Sequence, residues 1–146
     1  MTHSQIASGD QKAATTTLGI TVLKVRKGTQ QELTAGGYTI DAKNKNDTPY
    51  YVDVRYENQG SAAIKRSLSV SLEDQDGNLI SPVLIFNYGG KRFGPCPAIN
   101  DGDVAPGSWY RSCTLFLVPK GTEPRRVSFL PYTPGKETEF VYWKVA

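Results

Sequence analysis

The chain has 146 residues, 38% of them hydrophobic, with 17 basic against 14 acidic side chains for a formal charge of +3. That length fits one domain with a real core. No apolar run approaches the ~20 residues that span a bilayer, and the mild charge lacks the dense basic stripe of a nucleic-acid binder.

Residues 1–17 are polar and small, with runs such as Ser8-Gly9-Asp10-Gln11-Lys12 and Thr15-Thr16-Thr17. Such a stretch buries too little apolar surface to offset its ordering entropy, so a disordered tail or linker is expected, with the domain occupying residues 18–146. The N-terminus also lacks the apolar segment of a signal peptide. A tail of this kind typically follows a leader or lipid anchor, so Met1 is not expected to be the native start.

From Gly19 onward the pattern alternates with period two, as strands do. Gly19 to Lys27 reads as a two-sided or edge strand, and Gly36-Gly37 opens a short segment around Tyr38 to Ile40. In Tyr50 to Asn58, Tyr50, Val52, Val54 and Tyr56 face one way and Tyr51, Asp53, Arg55 and Glu57 the other, giving one core face and one wet face. Leu68, Val70 and Leu72 form the next inward row. Asp74-Gln75-Asp76-Gly77-Asn78 is a hairpin turn, with Gly77 free to take positive φ. Leu79 to Phe86 returns, bent at Pro82. Trp109 to Val118 and Pro124 to Leu130 are further strands, the second with Val127 and Phe129 inward, and Glu139 to Val145 closes the chain. Seven to eight such strands, with turn signals about every 8–12 residues, predict an all-β, immunoglobulin-like antiparallel β-sandwich. Lys24, Arg26 and Arg55 are placed to protect strand edges.

The irregular stretch from Asn87 to Ser108 is long enough to be functional or pinned. Cys96 and Cys113 each flank an extended segment, with a Gly/Asp/Pro-rich turn between them. Two reduced, buried thiols are the alternative, but this layout favours a disulfide and hence an extracellular or cell-envelope location. Tyr88, Lys91, Arg92 and Phe93 combine aromatic and basic character, the composition of an interaction surface. The commoner arrangement is that Phe93 caps the open end of the sandwich beneath the loop; a recognition surface would instead expose the four side chains together.

The order of Tyr50-Tyr51-Val52-Asp53-Val54-Arg55-Tyr56-Glu57-Asn58-Gln59-Gly60, then Asp76-Gly77, Cys96, Pro106-Gly107-Ser108, Cys113-Thr114-Leu115-Phe116-Leu117-Val118-Pro119 and Trp143 resembles the telokin-like, immunoglobulin-like domains of actinobacterial secreted lipoproteins. Small mycobacterial secreted antigens fall in the same sandwich group. The likeness spans roughly Leu18 to Ala146. It implies an extracellular sandwich with its two cysteines bridged, and it implies no reaction. No lipobox cysteine is present.

Catalytic chemistry is sparse. The single histidine, His3, lies in the expected tail, which removes Ser-His-Asp and Cys-His mechanisms from the folded part. No catalytic, cofactor-binding or metal-ligating residue is assigned, and no cofactor is expected. Asp74, Asp76 and Asn78 mimic the start of a calcium loop, but the twelfth position is Ile85, so the turn reading stands. Asp101 and Asp103 read as a polar turn. Three functions follow: a non-enzymatic extracellular module presenting the 87–108 loop to a protein or envelope component, a ligand-free structural envelope domain, or a carboxylate-dependent hydrolase.

Overall fold

The computed structural model describes residues 2–6, 13–84, 93–97, 102–132, 135, 137 and 139–145, without the side chains of 2–6 and 13–15. The strands are β1 (Thr2–Ile6), β2 (Ala13–Lys27), β3 (Thr48–Asn58), β4 (Ile64–Lys65), β5 (Ser71–Asp74), β6 (Leu79–Ile80), β7 (Asp103–Val104), β8 (Trp109–Val118), β9 (Pro124–Phe129) and β10 (Val141–Lys144); helix α1 covers Gln30–Ala35. Sheet one runs β1-β2-β3-β8 and sheet two β10-β9-β5-β6, with β4 and β7 as a small separate pair. All pairings are antiparallel. The fold is the all-β sandwich that the alternation predicts.

Period-two burial builds the core directly. Val52, Val54 and Tyr56 of β3 and Tyr110, Phe116 and Val118 of β8 face Leu72, Val127 and Phe129 of the second sheet, and all are buried. Leu68 and Val70 join them as expected. Of the neighbouring aromatics Trp109 and Tyr110, Tyr110 enters the core and Trp109 stays 55% exposed, since consecutive strand residues take opposite faces. Tyr56 and Tyr110 stack at 5.2 Å. Burial raises both phenols, Tyr110 to about 12.

Two expectations change. The tail is not uniformly disordered: Thr2–Ile6 pairs with Ala13–Thr17. The β-branched run Thr15-Thr16-Thr17 suits an extended backbone, and Thr16 is buried, its Oγ1 donating to Asn58 Oδ1 at 2.7 Å. Arg55 guards no edge, because β3 lies between β2 and β8. Among the described residues, Lys24 and Arg26 do lie on an edge, since β1 pairs with only the first part of β2.

Asn58 ends β3 and gathers the surrounding loops. It is fully buried, and its Nδ2 donates to the Ala62 and Val104 carbonyls at 2.8 and 2.9 Å. Its Oδ1 also accepts from Gly60 N at 3.1 Å, and its backbone exchanges bonds with Ser108 and Gly107. A Cβ at residue 60 would sit 1.8 Å from Thr16 Oγ1, so the close approach requires glycine.

The 74–78 turn is a hairpin as predicted, with Gly77 at φ +86°. Asp74 Oδ1 accepts from Asn78 N and Asp76 N at 2.8 and 2.9 Å. Those bonds, the Asn78 one foremost, hold the carboxyl below its ordinary 3.8. A depressed carboxyl stabilises the fold above its unfolded pKa, and that contribution is lost as pH falls through the lower folded value. The urea midpoint of the wild type should therefore drop more between about pH 6 and pH 3 than that of Asp74→Asn. Equal drops would remove Asp74 from the acid response.

Candidate binding site

The outer face of sheet one divides by chemistry. Toward one end it is polar: Arg111 pairs with Asp53 at 3.0 Å, and Arg55 lies over the Trp109 ring at 4.5 Å while reaching Glu57. Toward the other end Tyr51 and Leu115 sit side by side in register, and this apolar patch is roofed. Leu33 of α1, Phe93 and Cys96 cover it, forming a second buried cluster.

The roof explains where the predicted surface departs from expectation. Phe93 is only 5% exposed, its ring stacked 6.3 Å from Tyr51, so it is not displayed to solvent. Tyr51, expected on the wet face, is itself 2% exposed. Period-two alternation assigns a side chain to a face but says nothing of what later packs on that face. Tyr88, Lys91 and Arg92 lie outside the described residues. Cys96 and Cys113 form the expected disulfide, Cα atoms 5.3 Å apart, with Cys113 on the outer face of β8.

Helix α1 was missed by the alternation reading, yet it has a signal. Thr29 and Glu32 make a reciprocal capping box: Thr29 Oγ1 accepts from Glu32 N, and Glu32 Oε2 accepts from Thr29 N. Glu32 also binds Arg26 of β2 at 2.9 Å, and the guanidinium lies 4.3 Å over the Tyr51 ring. The Thr29 backbone bond, then Arg26, lowers the Glu32 pKa.

A cleft of about 600 Å³ opens at one end of the sandwich, between the C-terminal end of β2, the start of β3 and the β8–β9 turn. Val25, Tyr50 and Val145 supply apolar wall, and Lys27, Lys120 and Glu123 supply charge. The turn holds its shape through Thr122 N donating to Pro119 O, and Gln75 Oε1 accepts from Glu123 N at 2.8 Å. No sequence motif marks this cleft, because its walls come from five separated segments. Glu123 is the one carboxylate among its described lining residues, and no group of three metal-ligating side chains occurs among the described residues.

Two basic doublets stand in the chain, Lys65-Arg66 and Arg125-Arg126. Arg126 binds the buried Glu73, with Nε 3.0 Å from Oε1, and lies 4.2 Å over Tyr142. Lys65 meets Asp103 at 2.5 Å, and Arg66 lies 5.9 Å from the Tyr110 ring centre. These are structural pairings.

No helix among the described residues is long and apolar enough to cross a membrane. No family model and no curated protein matches the sequence. The crystal structure of the yjhA protein from Bacillus subtilis is similar, with a TM-score of 0.57 over 90% of this chain and 93% of that one. At 15% identity the likeness shows a shared sandwich fold and nothing finer.

Proposed function

We propose that the domain is a non-enzymatic binding module acting outside the reducing cytoplasm, and that it takes its ligand in the end cleft. The supporting observation is the cleft itself: about 600 Å³, partly apolar and flanked by Lys27 and Lys120 against Glu123. Ligand sites begin at roughly 300 Å³, so the volume counts against a ligand-free spacer. A single carboxylate among the described lining residues counts against two-carboxylate hydrolysis. The disulfide and the resemblance to telokin-like domains of secreted lipoproteins both favour an oxidising compartment.

A small set of mono- and dicarboxylate fragments, followed by amide chemical shifts, tests the reading. Perturbations should centre on Tyr50, Gly121 and Thr122, and Lys120→Glu should weaken binding by roughly tenfold. Fragments that leave these amides unmoved, or that bind Lys120→Glu unchanged, would refute it. A second reading keeps the 87–108 segment as the recognition surface. It is favoured by the bridge and by Phe93, which together fix 93–97 onto sheet one. Shifts centred on 93–97 would select it over the cleft.

A further inference from the structure

The cleft continues into an open flank of the sandwich. β1 pairs with β2 only as far as Thr17. From Gly19 to Lys27, β2 has β3 on one side and, among the described residues, no strand on the other. In an antiparallel strand every second residue turns its N–H and C=O outward, so this edge presents a row of unused backbone groups. Among the described residues the second sheet ends at β10. Between the two edges the inward-facing side chains Ile20, Val22, Val25, Trp143 and Val145 are only half-buried, although all pack on the core. A sandwich flank with two open edges and an apolar seam between them has the form of a strand acceptor.

Building on the cleft reading, we infer that the occupant is an extended acidic peptide segment that adds antiparallel to β2 along Gly19–Lys27. Three observations specify it. β1 already occupies the first part of the same edge in that manner. The seam takes apolar side chains at alternate positions. The charge is one-signed: Leu18 to Lys27 contains Lys24, Arg26 and Lys27 and no acid, and Lys120 stands across the cleft. Arg26 is engaged by Glu32, whereas Lys24, Lys27 and Lys120 make no ion pair among the described residues.

The same features argue against a second copy of the chain. Two β2 edges paired antiparallel about residue 25 would set Lys24 against Arg26. The register shift between Val22 and Lys24 further disfavours flat self-pairing. A partner with alternating valine and glutamate lays its valines along the seam and its glutamates on the outer face beside Lys24.

The test uses the intact, oxidised domain and a synthetic nine-residue peptide of alternating valine and glutamate. Three comparison peptides accompany it: one with lysine for glutamate, one of scrambled order, and one N-methylated at alternate residues to remove its backbone donors. The acidic peptide should bind at least tenfold more tightly than the lysine and scrambled versions. It should slow amide exchange within 20–25, and it should lose its affinity on N-methylation. The exposed pair Lys24→Glu/Lys27→Glu should bind it at least tenfold more weakly while keeping its thermal midpoint. Equal binding of acidic and lysine peptides, or indifference to N-methylation, would overturn strand addition. If carboxylate fragments still bound beside Tyr50 and Thr122 in that case, the cleft reading would survive it.

Discussion

Asn58→Ala is expected to destabilise the domain by about 3 kcal/mol or more, a larger loss than most surface changes produce. The side chain is fully buried and fills four hydrogen-bonding roles. Removing it orphans the Ala62 and Val104 carbonyls, the Gly60 N–H and the Thr16 hydroxyl. Each unsatisfied buried group costs about 1–3 kcal/mol, partly relieved by water entering from the loop side. Asn58→Asp is the sharper probe. It keeps the acceptor for Thr16 and Gly60 but has no donor for the two carbonyls, and it brings a charge into a closed site. It should therefore be no better than alanine near neutral pH, while Thr16→Val should cost only about 1 kcal/mol. Urea unfolding measures all three, and a loss under about 1 kcal/mol for both Asn58 variants would deny this residue its organising role.

The second large effect concerns the bridge. Cys96 and Cys113 are 17 positions apart. The chain-entropy model gives about 3 kcal/mol for closing such a loop. The double variant Cys96→Ser/Cys113→Ser should show that loss in urea, and it should show more at one place than elsewhere. Residues 93–96 hold the roof over Tyr51 and Leu115, so hydrogen exchange should quicken first at Leu33 and Tyr51, while Val54 and Val127 stay protected. Uniform acceleration across both clusters would mean that the bridge supports the whole sandwich and not its roof. Two free thiols in material made under oxidising conditions would remove the bridge altogether.

The main sandwich was legible because its strands are wet on one side: Val52, Val54 and Tyr56, like Val127 and Phe129, fall in rows that alternation reveals. The edge at Lys24 was legible for the same reason. What escaped was non-periodic. Helix α1 spans Gln30–Ala35, too short for a helical period to show, and only its capping box announces it. Tyr51 was misplaced, and Phe93 caps the outer face of sheet one and not an open end, because a second layer of apolar side chains covers a face that the strand pattern alone paints as solvent. Thr16 looked like tail because its burial depends on Asn58, 42 positions away. The cleft could not be read at all, since none of its five segments is distinctive until the turn after β8 comes beside the end of β2.

The step from Asn58 to Gly60 has a mechanical meaning. A methyl group at position 60 would evict the Thr16 hydroxyl from its seat, and the three atoms nearest to it all belong to Thr16. The spot thus behaves as a latch for the leading hairpin, with its catch at one hydroxyl. Gly60→Ala should spring β1 and the start of β2 away while leaving the rest of the body closed, lengthening the bare margin that a visiting strand could claim.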